Sequence, residues 1–240
     1  MNAFTAELLK WGKTNKRNFP WRSERNAYRI LIAEILLHRT RAENVVPVYL
    51  DFIRKFPDIR ALSNASINDI LSVTSSLGLR WRSRMIKEAA EQIVKKFNGV
   101  VPLNREKLLT LPGIGDYVAS AVMVFAGGKE GILLDTNTVR VICRINGWKY
   151  EDSIRRKKVT RDRYSELRGS EGSKEFAYSL IDLASIVCTP KKPKCDICPV
   201  SAHCTTGISR FPAAIIRGHD RKKDPSLVSL SLSDRYSPPD

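Results

Sequence analysis

The stretch Leu111-Pro112-Gly113-Ile114-Gly115-Asp116-Tyr117 decides how the chain reads. Pro112 ends the helix that carries Lys107, Leu108 and Leu109, because the residue before a proline is pushed out of the helical region. Two glycines one residue apart permit a tight turn with positive φ. The run after them, DYVASAVMVFA over 116–126, starts a new helix that Gly127-Gly128 stops. The segment is a helix–turn–helix hairpin whose Gly113 and Gly115 amides point outward together. Free amides at a helix N-terminus form an anion site, suited to gripping a nucleic-acid phosphate without reading bases. Many tight αα turns use Gly-x-Gly. The flanking leucines, the proline and the charge of the chain weight this one toward phosphate.

Outward from the hairpin the pattern stays helical. Tyr28, Leu31, Ile32, Ile35 and Leu36 recur at helical spacing. Met85, Ala89, Gln92, Ile93 and Lys96 predict a helix ending at Asn98-Gly99, and Thr138–Ile145 one ending at Asn146-Gly147. Phe176, Leu180, Leu183, Ala184 and Val187 mark another that runs into Cys188. No stretch before residue 226 alternates over strand length, so the fold class is all-α; Leu227–Leu232 is the one candidate strand. Residues past Cys204 are rich in Ser, Pro and charge and read as a loosely ordered tail.

The chain has 240 residues, with 41 Lys and Arg against 25 Asp and Glu, a formal charge of +16. That balance points to a polyanionic partner, nucleic acid first. No apolar run approaches the ~20 residues that span a bilayer, and the first residues lack the pattern of a secretory signal. A cytoplasmic, nucleoid-associated protein is expected. Residues 151–164 hold six Lys and Arg, among them Arg155-Arg156-Lys157-Lys158. They form either a solvated loop or part of a DNA-facing surface.

Four of the five cysteines, Cys188, Cys195, Cys198 and Cys204, fall in a C-x6-C-x2-C-x5-C pattern. Four thiols this close in a signal-free chain read as metal ligands rather than disulfides. Structural zinc sites usually show two short-spaced pairs; one short pair with two long arms suits a [4Fe–4S] cluster. Spacing alone leaves zinc open. Cys143 stands apart, on a helical face with Val139 and Ile142, and reads as core. Asp135, in Leu133-Leu134-Asp135-Thr136-Asn137-Thr138-Val139-Arg140, sits where a helix begins. It reads as an N-cap or as a catalytic carboxylate, and the two roles are compatible, since a helix N-terminus favours a negative charge.

LPGIGDY, then LLDTNTVRV, then the four cysteines, in this order and spacing, resemble the endonuclease III/MutY superfamily of DNA glycosylases. Phe19-Pro20-Trp21 and Ala33-Glu34-Ile35-Leu36-Leu37 resemble its N-terminal region, so the likeness runs from about Phe19 to Cys204. The resemblance implies a six-helix barrel domain with the helix-hairpin-helix over 18–127. It also implies a [4Fe–4S] domain built from 1–17 and 128–205, followed by the polar tail 206–240. It implies, further, a monomer on double-stranded DNA that flips a mismatched or damaged base out of the stack for excision.

The residue two places past Gly115 separates the branches. Members resembling endonuclease III have a lysine there that attacks the sugar as a Schiff base; here Tyr117 stands in its place. A phenol forms no imine, so no lyase step of that kind is expected. Tyr117 and the run Ile35-Leu36-Leu37-His38-Arg39-Thr40 are similar to thymine-DNA glycosylases acting on G·T and G·U mismatches. Adenine-removing relatives usually show Gln-Gln-Thr and a long C-terminal domain; only 36 residues follow Cys204 here. Glu34, however, matches the acid of that adenine branch and keeps it as the alternative. A noncatalytic helix-hairpin-helix module or a redox sensor needs neither Asp135 nor Glu34.

By this resemblance Asp135 stabilises the cationic sugar, Tyr117 lines the pocket, and Glu34 contacts the flipped base. Arg39 and Leu79 match positions that insert into the gap left by flipping. Lys191, Lys192 and Lys194 are expected to join Gly113 and Gly115 in DNA binding. Arg80, Arg82 and Arg84 either bind phosphate or are solvated.

Overall fold

The computed structural model describes residues 2–78 and 80–210. Leu79, the candidate strand Leu227–Leu232 and the rest of the tail past Arg210 lie outside the described residues. Within them the chain is helical throughout and contains no strand. No helix among them is long and apolar enough to cross a membrane.

The helices are α1 (Ala3–Thr14), α2 (Ala27–Leu37), α3 (Ala42–Lys55), α4 (Ile59–Asn64), α5 (Ile67–Thr74) and α6 (Trp81–Phe97). There follow α7 (Arg105–Leu109), α8 (Asp116–Phe125), α9 (Thr136–Asn146), α10 (Lys158–Arg168), α11 (Ser173–Ile186) and α12 (Thr205–Arg210). Half of these starts are written locally by side chains that accept the free amides of a first turn. Asn2, Asn26, Asp58, Ser66, Asn104 and Asp135 all do this. Two stops are written by left-handed residues, Asn98 after α6 and Gly147 after α9.

α2 is the central helix. It packs against α3, α6 and α8, so every residue from Ile30 to Leu36 is buried. α4 and α5 pack on α6, and α7 packs on α8 across the hairpin. α1 leaves this group and lies along α11, which also packs on α9. The N-terminus is tied there by Asn2, whose side-chain amide donates to the Glu166 carbonyl at 2.9 Å. α12 closes the cysteine segment onto α9.

Two segments are helical where the sequence offered a loop or a loose tail. The basic segment after residue 151 is a 3-10 turn, Asp152–Arg156, followed by α10. It folds because Thr160, Tyr164 and Leu167 give α10 one buried face despite its charge. Residues 206–210, expected to belong to a loose tail, are instead part of the helix Thr205–Arg210. There the Thr205 and Thr206 hydroxyls donate to the Ile145 and Arg144 carbonyls at the end of α9, at 2.9 and 3.1 Å.

Candidate active site and cysteine site

The hairpin forms as read, with one difference between its glycines. Gly113 has φ +73, and a Cβ there would run into the Met85 side chain, so the turn itself requires glycine. Gly115 has φ −89 as N-cap of α8, and a Cβ there would meet nothing. Its glycine is not demanded by the backbone. Its lack of a side chain leaves the first turn of α8 uncapped and open to an approaching anion. The amides of Gly113 and Gly115 have no protein acceptor among the described residues. Leu108, Leu111 and Ile114 anchor the turn in the core.

Two residues past Gly115, Tyr117 packs against the core, and its phenol is within electrostatic reach of groups from four helices. Glu34 comes from α2, Asp135 from the start of α9, Tyr164 from α10 and Tyr178 from α11. Burial first, then the charges of Glu34 and Asp135, hold the Tyr117 phenol well above its ordinary range, so it stays neutral. Glu34 is 7% exposed. Burial pushes its carboxyl up to about 8; Arg22 opposes that rise and Asp135 adds to it. At neutral pH Glu34 is therefore largely an acid, able to donate a proton or a hydrogen bond.

Asp135 caps a helix within electrostatic reach of Glu34 and Tyr117. Its Oδ1 accepts the Asn137 and Thr138 amides at 3.0 and 2.7 Å, and its Oδ2 accepts the Asn137 side-chain amide at 2.8 Å. Thr138 Oγ1 in return accepts the Asp135 amide at 2.9 Å, completing a capping box. Asn137 is in turn held by Arg140, whose guanidinium also reaches the Cys188 and Ala184 carbonyls at 3.0 and 2.8 Å. The carboxylate is thus preorganised, with its donors fixed before any substrate arrives.

The sequence reading missed a buried ion pair beside Glu34 and Tyr178. Arg22 is 4% exposed and makes two parallel bonds, 2.7 and 2.9 Å, to Asp182, which is 1% exposed. Arg17 adds a 2.7 Å bond to the same carboxylate. The Arg22 guanidinium lies 4.1 Å from the Tyr178 ring centroid, and that ring stacks on Phe125 at 4.2 Å. The Tyr178 hydroxyl is buried without a hydrogen-bond partner, an atom with capacity for a ligand. The available signal was Asp182 itself, a charge within the mostly apolar run of α11.

The other expected residues divide. Arg39 is exposed, with φ +59, on the turn that follows α2. Arg82 is not a phosphate ligand: it is 2% exposed and donates to the Leu36 and His38 carbonyls at 2.7 and 2.6 Å and to Thr40 at 3.1 Å. Arg80 and Arg84 are exposed. Lys191, Lys192 and Lys194 are exposed in the loop after Cys188 and make no ion pair among the described residues.

Cys188, Cys195, Cys198 and Cys204 are all unpaired thiols and line one cavity with Val187, Pro193 and Arg144. Among the described residues no three His, Cys, Asp or Glu converge as ligands of a single metal ion. Four thiols around one shared space are the donor set that a [4Fe–4S] cluster takes. Arg144 donates to Cys188 Sγ at 3.3 Å and the Gly207 amide to Cys204 Sγ at 3.4 Å, hydrogen bonds that suit thiolate ligands. Cys143 is apart and buried among apolar neighbours, where burial raises its thiol to about 11.

With this geometry in view, the likeness to known proteins is specific. The pattern of the HhH-GPD superfamily base excision DNA repair proteins matches residues 32–166. The chain belongs to the HhH-GPD superfamily. The iron–sulfur binding domain of endonuclease III matches 188–204, so this HhH-GPD protein carries a [4Fe–4S] domain. The thymine/uracil-DNA glycosylase of Pyrobaculum aerophilum is 36% identical over 205 residues, covering 82% of this chain and 88% of that one. The adenine DNA glycosylase of Buchnera aphidicola is 32% identical over 205 residues, covering 84% of this chain and 57% of that one. A solved thermostable thymine-DNA glycosylase superposes with TM-score 0.81 at 35% identity, over 86% of this chain and 95% of that one.

Proposed function

We propose that the chain is a monofunctional DNA glycosylase, acting as a monomer, that removes thymine or uracil mispaired with guanine. The observation that carries the reading is Tyr117 beside Glu34 and Asp135. The pocket offers an acid, a fixed carboxylate and a neutral phenol, and none of the charged groups acting on Glu34 or Tyr117 is a lysine. The likeness to thymine/uracil-DNA glycosylases supports the choice of base.

In this reading duplex DNA lies across the cleft between residues 18–127 and 128–205. The Gly113 and Gly115 amides hold a phosphate. Arg39 enters the gap left by the flipped nucleotide, and Lys191, Lys192 and Lys194 add backbone contacts. As the N-glycosidic bond breaks, positive charge builds on the sugar, and the Asp135 carboxylate stabilises it. The pyrimidine leaves with the bonding electrons as an anion. A charged Glu34 would repel it, whereas the protonated Glu34 donates a hydrogen bond to it. Water adds to C1′ and its released proton passes to Asp135. Tyr117 shapes the pocket around sugar and base.

Cys188, Cys195, Cys198 and Cys204 would hold the [4Fe–4S] cluster. When bound, that cluster ties the segment after α11 into one unit. The cysteine segment then positions Cys188, and through Arg140 and Asn137 this chain braces Asp135.

Glu34 held as an acid is also the observation that favours a second reading, adenine release from A·G or A·8-oxoguanine pairs, where protonation of the purine assists departure. A panel of G·T, G·U, A·G and A·8-oxoguanine duplexes, scored for free base, decides between them. Release from G·T and G·U is expected; release from the adenine pairs alone overturns the thymine/uracil reading.

A further inference from the structure

Arg155, Arg156 and Lys157 are exposed cations at the end of the 3-10 turn Asp152–Arg156. No ion pair or hydrogen bond engages their side chains among the described residues, whereas Lys158 is paired with Asp162 at 2.6 Å. The turn does not swing freely. Thr160 Oγ1 of α10 donates to the Ile154 carbonyl at 2.6 Å, and the turn packs on α9. The backbone that carries the three charges is therefore held on the helix that buries Tyr164.

The position of this segment is set at both ends. Arg155 acts electrostatically on His38, together with Arg39 and Arg82. His38 follows Glu34 by one turn, on the bend that presents Arg39. At the other end Arg161 lies 4.0 Å from the carboxylate of Asp116, the residue between Gly115 and Tyr117. Arg105 pairs with the same carboxylate. The basic segment and α10 thus lie between the turn carrying Arg39 and the hairpin with its free amides.

We propose that Arg155, Arg156 and Lys157 form a phosphate-binding rim for the DNA backbone, continuous with the hairpin. Neighbouring like charges without acidic partners repel each other, and a polyanion that passes between Arg39 and the hairpin relieves that repulsion. Duplex DNA, with one charge per about 1.7 Å of axis, is such a polyanion. The inference needs only that the chain binds duplex DNA, and it stands whichever base is removed.

The test is binding of an undamaged duplex to the full chain, measured across a salt series, for wild type and for Arg155→Gln/Arg156→Gln/Lys157→Gln. Each phosphate contact contributes about 0.9 to the slope of log affinity against log salt, so the triple variant lowers the slope by about 2–3. Lys95→Gln/Lys96→Gln is the control, because these exposed lysines sit at the far end of α6, about 20 Å from Trp81. It removes charge of the same sign and leaves the slope nearly unchanged. If the triple variant loses its thermal transition, the three single variants are read instead, each lowering the slope by about 0.9. A slope change per charge no larger than the control's overturns the proposal.

Discussion

Glu34 and Asp135 approach each other from separate helices, and the charge of Asp135 adds to the burial that lifts Glu34 to about 8. The folded protein therefore holds a proton on Glu34 that the unfolded chain releases near 4.5. Stability from this group is complete below the unfolded value and is lost as pH rises through the folded one. Thermal denaturation from pH 5 to 9 should show wild type losing stability that Glu34→Gln keeps, with the gap widening upward. Base release by wild type should fall above pH 8, while Glu34→Gln gives a lower but flatter profile. Parallel profiles for the two proteins would show that Glu34 is charged in the folded state.

Asp135→Asn should leave the fold and DNA binding intact and slow base release by ~10²–10³-fold, the usual effect of losing one preorganised electrostatic group. Asparagine caps helices as well as aspartate does, so the melting temperature should stay close to wild type. Asp135→Ala should lose activity similarly and also about 1 kcal/mol of stability with the cap. Single-turnover kinetics beside melting curves separate the two roles. Near wild-type turnover by the asparagine variant would make Asp135 a cap alone.

Much of this site was legible in the residues. The hairpin, the N-cap at Asp135 and the four cysteines are local patterns in which the spacing states the geometry. The rest is tertiary. Glu34 lies off the Tyr28, Leu31, Ile35 stripe, and periodicity alone would place it outside; α2 is packed on all sides, so it is buried nonetheless. Arg22 and Asp182 are 160 residues apart, and nothing local foretells their pairing. The six cations over 151–164 masked the short buried stripe of α10. Arg82 read as surface charge because its acceptors are backbone carbonyls at the end of another helix, which a sequence does not display.

Each of Cys188, Cys195, Cys198 and Cys204, changed to Ser, should lower iron from about four per chain and destabilise the segment after α11. Cys143→Ala should keep full iron, because its thiol is buried in the core away from the cavity. Iron and zinc analysis of the purified variants checks both statements. Stoichiometric zinc without iron in wild type would contradict the cluster assignment.

Arg82 fixes the bend that presents Arg39, with three hydrogen bonds to residues 36–40. Arg82→Met leaves the buried Leu36 carbonyl and the half-buried His38 carbonyl without this donor and should cost about 3 kcal/mol, at 1–3 kcal/mol for each unsatisfied group. Arg82→Lys should rescue little of this, since one ammonium does not reproduce the planar fork. Urea unfolding measures the loss. A lysine variant as stable as wild type would show that charge, not geometry, holds the bend.

The central claim is that this chain cuts the bond to a mispaired pyrimidine without attacking the sugar through an amine. The most direct measurement is borohydride trapping on G·T and G·U duplexes, run beside free-base release, for wild type and Tyr117→Lys. Wild type should release thymine or uracil, leave an abasic strand unbroken and give no trapped adduct. The lysine variant places an amine in a partly desolvated pocket, where its pKa falls toward that of a nucleophile, and should be trapped on DNA. A wild-type adduct, or no base released from either duplex, would contradict the account.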